Sequence, residues 1–127
     1  MRVLIDTQVI IWLATGAERL SAAARRCFVE ADELFLSIAS YWEISIKREI
    51  RKLRWDESVA AAFERGLREN QIQHLAIRQS HCEEIVTLPR YHRDPFDRML
   101  VAQAQVEQLS IMTSDPHFEK YDATVVW

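Results

Sequence analysis

Arg2-Val3-Leu4-Ile5-Asp6-Thr7-Gln8-Val9-Ile10-Ile11-Trp12-Leu13-Ala14 is the stretch from which the fold class can be read. Arg2–Ile5 carries an apolar run without polar alternation, the pattern of a short strand covered on both faces. The run stops at Asp6, and Val9–Ala14 resumes as an apolar segment that reads as a short helix. Outward from this unit the same alternation continues. Leu34–Ile38, Leu109–Thr113 and Thr124–Trp127 read as further strands, with Ile72–Leu75 a weaker fifth. Between them Ser21–Ala31, Tyr41–Ile50, Glu57–Glu69, Ile77–Ile85 and Phe96–Gln108 read as helices, the first opening on a good N-cap residue. Strands separated by helices imply right-handed crossovers and a mainly parallel sheet with helices on both faces. The expectation is a three-layer α/β fold of about five strands, in a single domain over residues 1–127.

Composition narrows the function. Apolar residues make up 49% of the chain and charged residues 28%, an ordinary globular balance. The longest apolar run, Val9–Ala14, is far shorter than the roughly 20 residues that cross a bilayer. Asp6 interrupts the segment where a secretory signal would need an uncharged core, so the expected location is the cytoplasm. Cys27 and Cys82 have no nearby cysteine partner, which argues against a disulfide framework or a zinc ribbon, and both are expected as reduced core thiols. The net charge of −3 does not announce a nucleic-acid binder, yet Lys47, Arg48, Arg51, Lys52 and Arg54 crowd one short segment. Such a run is ordinarily a solvated helix face. It becomes relevant only if an anionic polymer is bound nearby.

The acids supply that link. In open α/β sheets, sites form beyond the carboxyl ends of the strands, where helix N-termini converge. Asp6 follows the first strand, Glu43 is expected in the first turn of the helix after the second, Asp97 opens the helix after Asp94-Pro95, and Asp115 follows Met112-Thr113-Ser114. Each has a purely structural alternative. Asp94-Pro95 and Asp115-Pro116 look like N-caps followed by proline, Asp6 could cap the Val9 helix, and Glu43 could pair with Lys47 at i, i+4. Gathered at one edge, however, four carboxylates repel unless a cation sits among them. An all-oxygen donor set suits Mg²⁺ or Mn²⁺, and the scattered His74, His81, His92 and His117 show no zinc spacing. His92 and His117 are kept as supporting contacts to the acids beside them. A carboxylate-bound hard cation next to a basic helix suggests hydrolysis of a phosphodiester, with Lys47, Arg48, Arg51 and Lys52 on backbone phosphates.

The blocks Leu4-Ile5-Asp6-Thr7, Ser40-Tyr41-Trp42-Glu43-Ile44-Ser45-Ile46-Lys47, His92 to Ala104 around Asp94-Pro95-Phe96-Asp97-Arg98, and Thr113-Ser114-Asp115-Pro116 with Phe118, Tyr121 and Trp127 resemble PIN-domain proteins of the VapC toxin type, in order along the whole chain. The resemblance implies a PIN fold and a Mg²⁺- or Mn²⁺-dependent endoribonuclease of a type II toxin–antitoxin system. It also implies an RNA substrate, a small cognate antitoxin and a homodimer. Asp6, Glu43, Asp97 and Asp115 match the family's acidic quartet, with Thr7, Ser114 and Asp94 as supporting positions. Gln8 stands where histidine or asparagine is common. Arg51 replaces a common glycine, so the helix from Tyr41 is expected to end without a left-handed cap. Trp42 and Trp55 are expected in the core, the other possibility being a groove for an antitoxin segment. The rival reading is a catalytically silent α/β binding or regulatory module. Its phosphoacceptor versions are disfavoured because position 8 is Gln and Asp6 has no acidic neighbour.

Overall fold

Val3, Leu4 and Ile5 are fully buried in the central strand, β1 (Arg2–Ile5), of a five-stranded sheet. The computed structural model describes every residue from Met1 to Trp127. Strand β2 (Glu33–Ser37) pairs with one side of β1 and β4 (Ser110–Met112) with the other, Leu4 lying opposite Phe35 and Ile111. The edges are β3 (Gln73–Leu75) and β5 (Val125–Val126), giving the order β3-β2-β1-β4-β5 with every pairing parallel.

The helices are α1 (Thr7–Thr15), α2 (Ala22–Glu30), α3 (Ile38–Glu49), α4 (Glu57–Glu69), α5 (Gln79–Thr87) and α6 (Pro95–Glu107). Short 3₁₀ turns cover Ala17–Arg19 and Pro116–Lys120. Alternate residues of β1 face opposite layers. Val3 and Ile5 pack with Val9 and Ile10 of α1, Ala24 of α2, Ile44 of α3 and Phe63 and Leu67 of α4. Leu4 packs on the other side with Leu100, Val101 and Ala104 of α6 and with Phe118. Each such side chain taken fully out of water contributes about 1.5–3 kcal/mol. The result is the expected three-layer α/β architecture.

Two helix starts come two or three residues earlier than the apolar pattern indicates, and both matter for the site. Asp6 stays extended at φ −64° and ψ 148° while its carbonyl already accepts from Val9 and Ile10, so α1 begins at Thr7 rather than Val9. Ser37 Oγ accepts the N–H of Ala39, which starts α3 at Ile38 rather than Tyr41. Ile38 therefore leaves the sheet, and Glu43 falls in the second turn of α3 instead of the first.

Helix ends also depart from expectation. Arg51 sits at φ 57°, with its N–H on the Arg48 carbonyl at 3.1 Å and that of Lys52 on the Lys47 carbonyl at 2.9 Å. This is a left-handed Schellman ending without glycine. Gln71 and Gln108 take the same conformation after α4 and α6. Packing beyond each helix overrides a local penalty of about 1 kcal/mol. Two core assignments are also corrected. Cys82 is exposed whereas Cys27 is buried, and Trp42 is 61% exposed, while Trp55 is half-buried against Phe63. Trp42 lies on the α3 face turned away from the sheet, opposite the buried Ile44. No helix is long and apolar enough to cross a membrane.

Candidate metal centre

Asp6, Asp97 and Asp115 come from strand ends and a helix start, and Glu43 from the second turn of α3. Asp6 is 6% exposed, and its N–H bonds to the Met112 carbonyl at 3.0 Å, so the chain stays tied to β4 just beyond β1. Its side chain makes no helix-capping bond. Instead Oδ2 accepts from Thr113 Oγ1 at 2.8 Å. Glu43, from α3, meets Lys47 Nζ at 2.9 Å, the i, i+4 pair anticipated from their spacing. Asp97 lies in the first turn of α6, where Asp94 Oδ1 accepts the N–H groups of Phe96 at 2.8 Å and of Asp97 at 3.1 Å. Asp94 is thus an exposed N-cap that leaves the Asp97 carboxylate free of the capping task. Asp115, just past β4, accepts from the His117 N–H on Oδ1 and from His92 Nε2 on Oδ2, both at 2.9 Å.

Electrostatics ties the acids together. Burial pushes the Asp6 carboxyl from 3.8 up to about 6, opposed by the Thr113 hydrogen bond and reinforced by the charges of Glu43 and Asp115. Burial likewise raises Asp97 to about 7, with further contributions from Asp94, Asp6, Glu43 and Asp115. Asp115 behaves differently. Burial acts upward on it too, but the His92 and His117 hydrogen bonds and charges outweigh that effect and hold it below its ordinary value. One ligand atom each from His92, Asp97 and Asp115 lies within 4.8 Å of the others. Carboxylates held back from ionising by burial and, after it, by one another's charge form a site whose charge a divalent cation would balance, and their oxygens suit a hard ion.

The remaining expected positions are dispersed. Thr7 Oγ1 donates to Ser40 Oγ at 2.8 Å, a buried bond that joins α1 to α3. Ser114 is half-buried, and the hydroxyl that reaches Asp6 belongs to its neighbour Thr113, which also accepts the Asp115 N–H at 3.1 Å. Thr113 was legible only as the last residue of an expected strand. Gln8 is exposed. Lys47 is engaged by Glu43, the Arg48 guanidinium lies 4.9 Å from the Trp55 ring, and Arg51 and Lys52 are exposed at the end of α3. Trp42 meets Phe96 edge-on at 5.3 Å, each residue immediately preceding an acid of the cluster.

Known proteins resemble this chain along most of its length. The family model described as PIN domain matches residues 3–124. Ribonuclease VapC22 of Mycobacterium tuberculosis is 29% identical over 121 residues, which cover 89% of this chain and 86% of the relative. Among solved structures, VapBC2 from Rickettsia felis bound to a promoter DNA fragment superposes with a TM-score of 0.76 at 10% identity, covering 98% of this chain and 97% of that one. VapBC-1 from nontypeable Haemophilus influenzae gives 0.70 at 19% identity, with 98% and 96% covered. At such identities the structural likeness is one of fold.

Proposed function

The chain belongs to the PIN-domain family, and from that premise we propose that it is a divalent-metal-dependent endoribonuclease, the toxin of a type II toxin–antitoxin pair. The observation that carries this reading is the convergence of carboxylates beyond the carboxyl end of the sheet, where Asp97 and Asp115 stand within ligand reach of each other and burial, reinforced by neighbouring carboxylate charge, raises Asp6 and Asp97. Asp6, Glu43, Asp97 and Asp115 would hold Mg²⁺ or Mn²⁺, with Thr7, Ser114 and Asp94 in support. When bound, the ion supplies charge neutralisation, polarisation of a phosphoryl oxygen and acidification of a water. The protein's own residues do the positioning. Thr113 orients Asp6, His92 and the His117 N–H orient Asp115, and the Asp94 cap fixes the turn that carries Asp97. Lys47, Arg48, Arg51 and Lys52 extend from the site along α3 and would contact RNA phosphates, which supplies affinity with little sequence preference.

Partners follow from the same reading. VapC22 is named a ribonuclease, and a toxin–antitoxin complex from Klebsiella pneumoniae shares the fold, so a small cognate antitoxin is the proposed protein partner. A homodimer is proposed through α3, where Ile38, Trp42, Ile46 and Ile50 recur every fourth residue and are all exposed.

The test is cleavage of single-stranded RNA by purified protein with Mg²⁺ or Mn²⁺, with and without EDTA, followed by mapping of the ends. Attack by water yields a 5′-phosphate and a 3′-hydroxyl. Asp6→Asn and Asp97→Asn should abolish cleavage while circular dichroism stays native. Full activity in either variant, or a 2′,3′-cyclic phosphate product, refutes the reading.

A further inference from the structure

His92 is 7% exposed, and both of its ring nitrogens have protein partners. The Tyr121 hydroxyl oxygen accepts the His92 backbone N–H at 2.9 Å and lies 3.1 Å from Nδ1. The two rings are stacked, 6° apart in plane and 5.5 Å between centroids, with Phe118 packed at 4.6 Å. A phenol has one hydrogen to give. Its oxygen already serves the backbone as acceptor, so that hydrogen goes to Nδ1. In the neutral ring the remaining proton sits on Nε2, which donates to Asp115 Oδ2 at 2.9 Å.

We infer that Tyr121 and His92 together form a positioning device that orients the Asp115 carboxylate, and that His92 is not itself a metal ligand, although its ring stands within ligand reach of Asp97 and Asp115. A ligating nitrogen needs a free lone pair. That of Nδ1 takes the Tyr121 hydrogen, and Nε2 carries an N–H. Asp115 keeps its own capacity, because each carboxylate oxygen has two acceptor directions and only one on each is used here, by His117 N–H and by His92. The chain of bonds continues. The Asp115 N–H goes to Thr113 Oγ1, whose hydrogen goes to Asp6 Oδ2, so one unbroken path from Tyr121 holds two acids in fixed relation. The site then offers oxygen donors alone, which favours Mg²⁺ or Mn²⁺ over Zn²⁺.

This inference rests on the metal-site reading, and the experiment separates the two. Mn²⁺ binding to the full chain is measured by calorimetry, and the histidine ring nitrogens of the metal-free protein are observed by ¹⁵N NMR. The metal-free wild type should show a protonated Nε2 and an unprotonated Nδ1 at His92. His92→Phe keeps the ring stack, loses both bonds, and should weaken Mn²⁺ binding by about 10- to 100-fold. His92→Gln presents an amide N–H toward Asp115 and should recover most of that loss, a rescue that a merely structural role does not predict. A ring that keeps its Nε2–H when Mg²⁺ is added excludes direct ligation, and loss of that proton on adding Mg²⁺ overturns the inference. If His92→Phe melts early, Tyr121→Phe carries the test, since it deletes one oxygen; it should weaken Mn²⁺ binding and lose the single-tautomer signature. Wild-type Mn²⁺ affinity in the Phe variants, or a Gln variant no better than His92→Phe, overturns the inference alone. A wild type that binds no Mn²⁺ overturns the metal-site reading and this inference with it.

Discussion

Replacing Asp97 by asparagine removes one negative charge from the cluster and leaves the helix start intact, because the bond to Asp94 is donated by the Asp97 backbone N–H. A carboxyl held at about 7 instead of 3.8 is opposed in its charged form by about 4 kcal/mol, at 1.36 kcal/mol per pKa unit. The side chain is partly open to solvent, and screening reduces this to about 2 kcal/mol. Asparagine also gives up the interaction of a first-turn carboxylate with the dipole of α6, about 0.5 kcal/mol. Removal of the buried charge wins. Without metal, Asp97→Asn should be more stable than the wild type by about 1.5 kcal/mol at about pH 8, or about 5 °C in melting temperature for a chain of this size. The pH sign follows from proton uptake. Between 3.8 and about 7 the folded protein binds more protons at Asp97 than the unfolded chain does, so this group's penalty is absent at low pH and grows as pH rises. At about pH 5 the gain should be less than half of that at about pH 8, and it should vanish only below the unfolded value of 3.8. Saturating Mn²⁺ reverses the order, because a ligand at a hundred times its Kd adds about 2.7 kcal/mol to the wild type alone. Melts followed by circular dichroism in EDTA and in Mn²⁺ at both pH values make the comparison. A variant that melts below the wild type in EDTA at about pH 8, or one whose gain is the same at both pH values, refutes the electrostatic reasoning.

Thr113→Val removes the hydrogen bond that holds Asp6 toward its charged form, so Mn²⁺ affinity should fall about 10-fold and the pH profile of binding should move upward; calorimetry across pH checks both. Arg51→Gly relieves a left-handed residue and should raise stability to denaturant by about 1 kcal/mol. A loss of stability would show that the Arg51 side chain holds something the backbone geometry does not require. Arg48→Gln with Lys52→Gln should lower the slope of log affinity against log salt by about 1.4 for single-stranded RNA, at about 0.7 per phosphate contact. An unchanged slope in filter binding would remove these two residues from the RNA path.

Much of this molecule is legible in one dimension. Val3-Leu4-Ile5 and Leu34-Phe35-Leu36 announce strands because a strand covered on both faces tolerates no polar alternation. The acids stand out because Asp6 and Asp115 directly follow such runs, and Asp94-Pro95 marks where α6 must begin. These signals are local, since each depends on residues within one or two turns. Exposure is different. Trp42 and Ile44 are both apolar and two positions apart, yet one faces solvent and the other the core, a choice made by where α1, α4 and α6 come to rest against α3. Arg51 takes a conformation its own chemistry disfavours because the chain beyond α3 must turn there.

Residue order therefore settled the strand-helix alternation, the parallel sheet and the edge at which carboxylates accumulate, because hydrophobic periodicity and the end of each strand are properties of neighbouring residues. Three-dimensional packing alone decided that Thr113 reaches Asp6 across 107 positions, that Tyr121 turns His92 toward Asp115, and that burial among like charges lifts Asp6 and Asp97. Hydrogen-bond partners and desolvation depend on what folding brings alongside a group, and nothing in the composition near Asp6 names its partner.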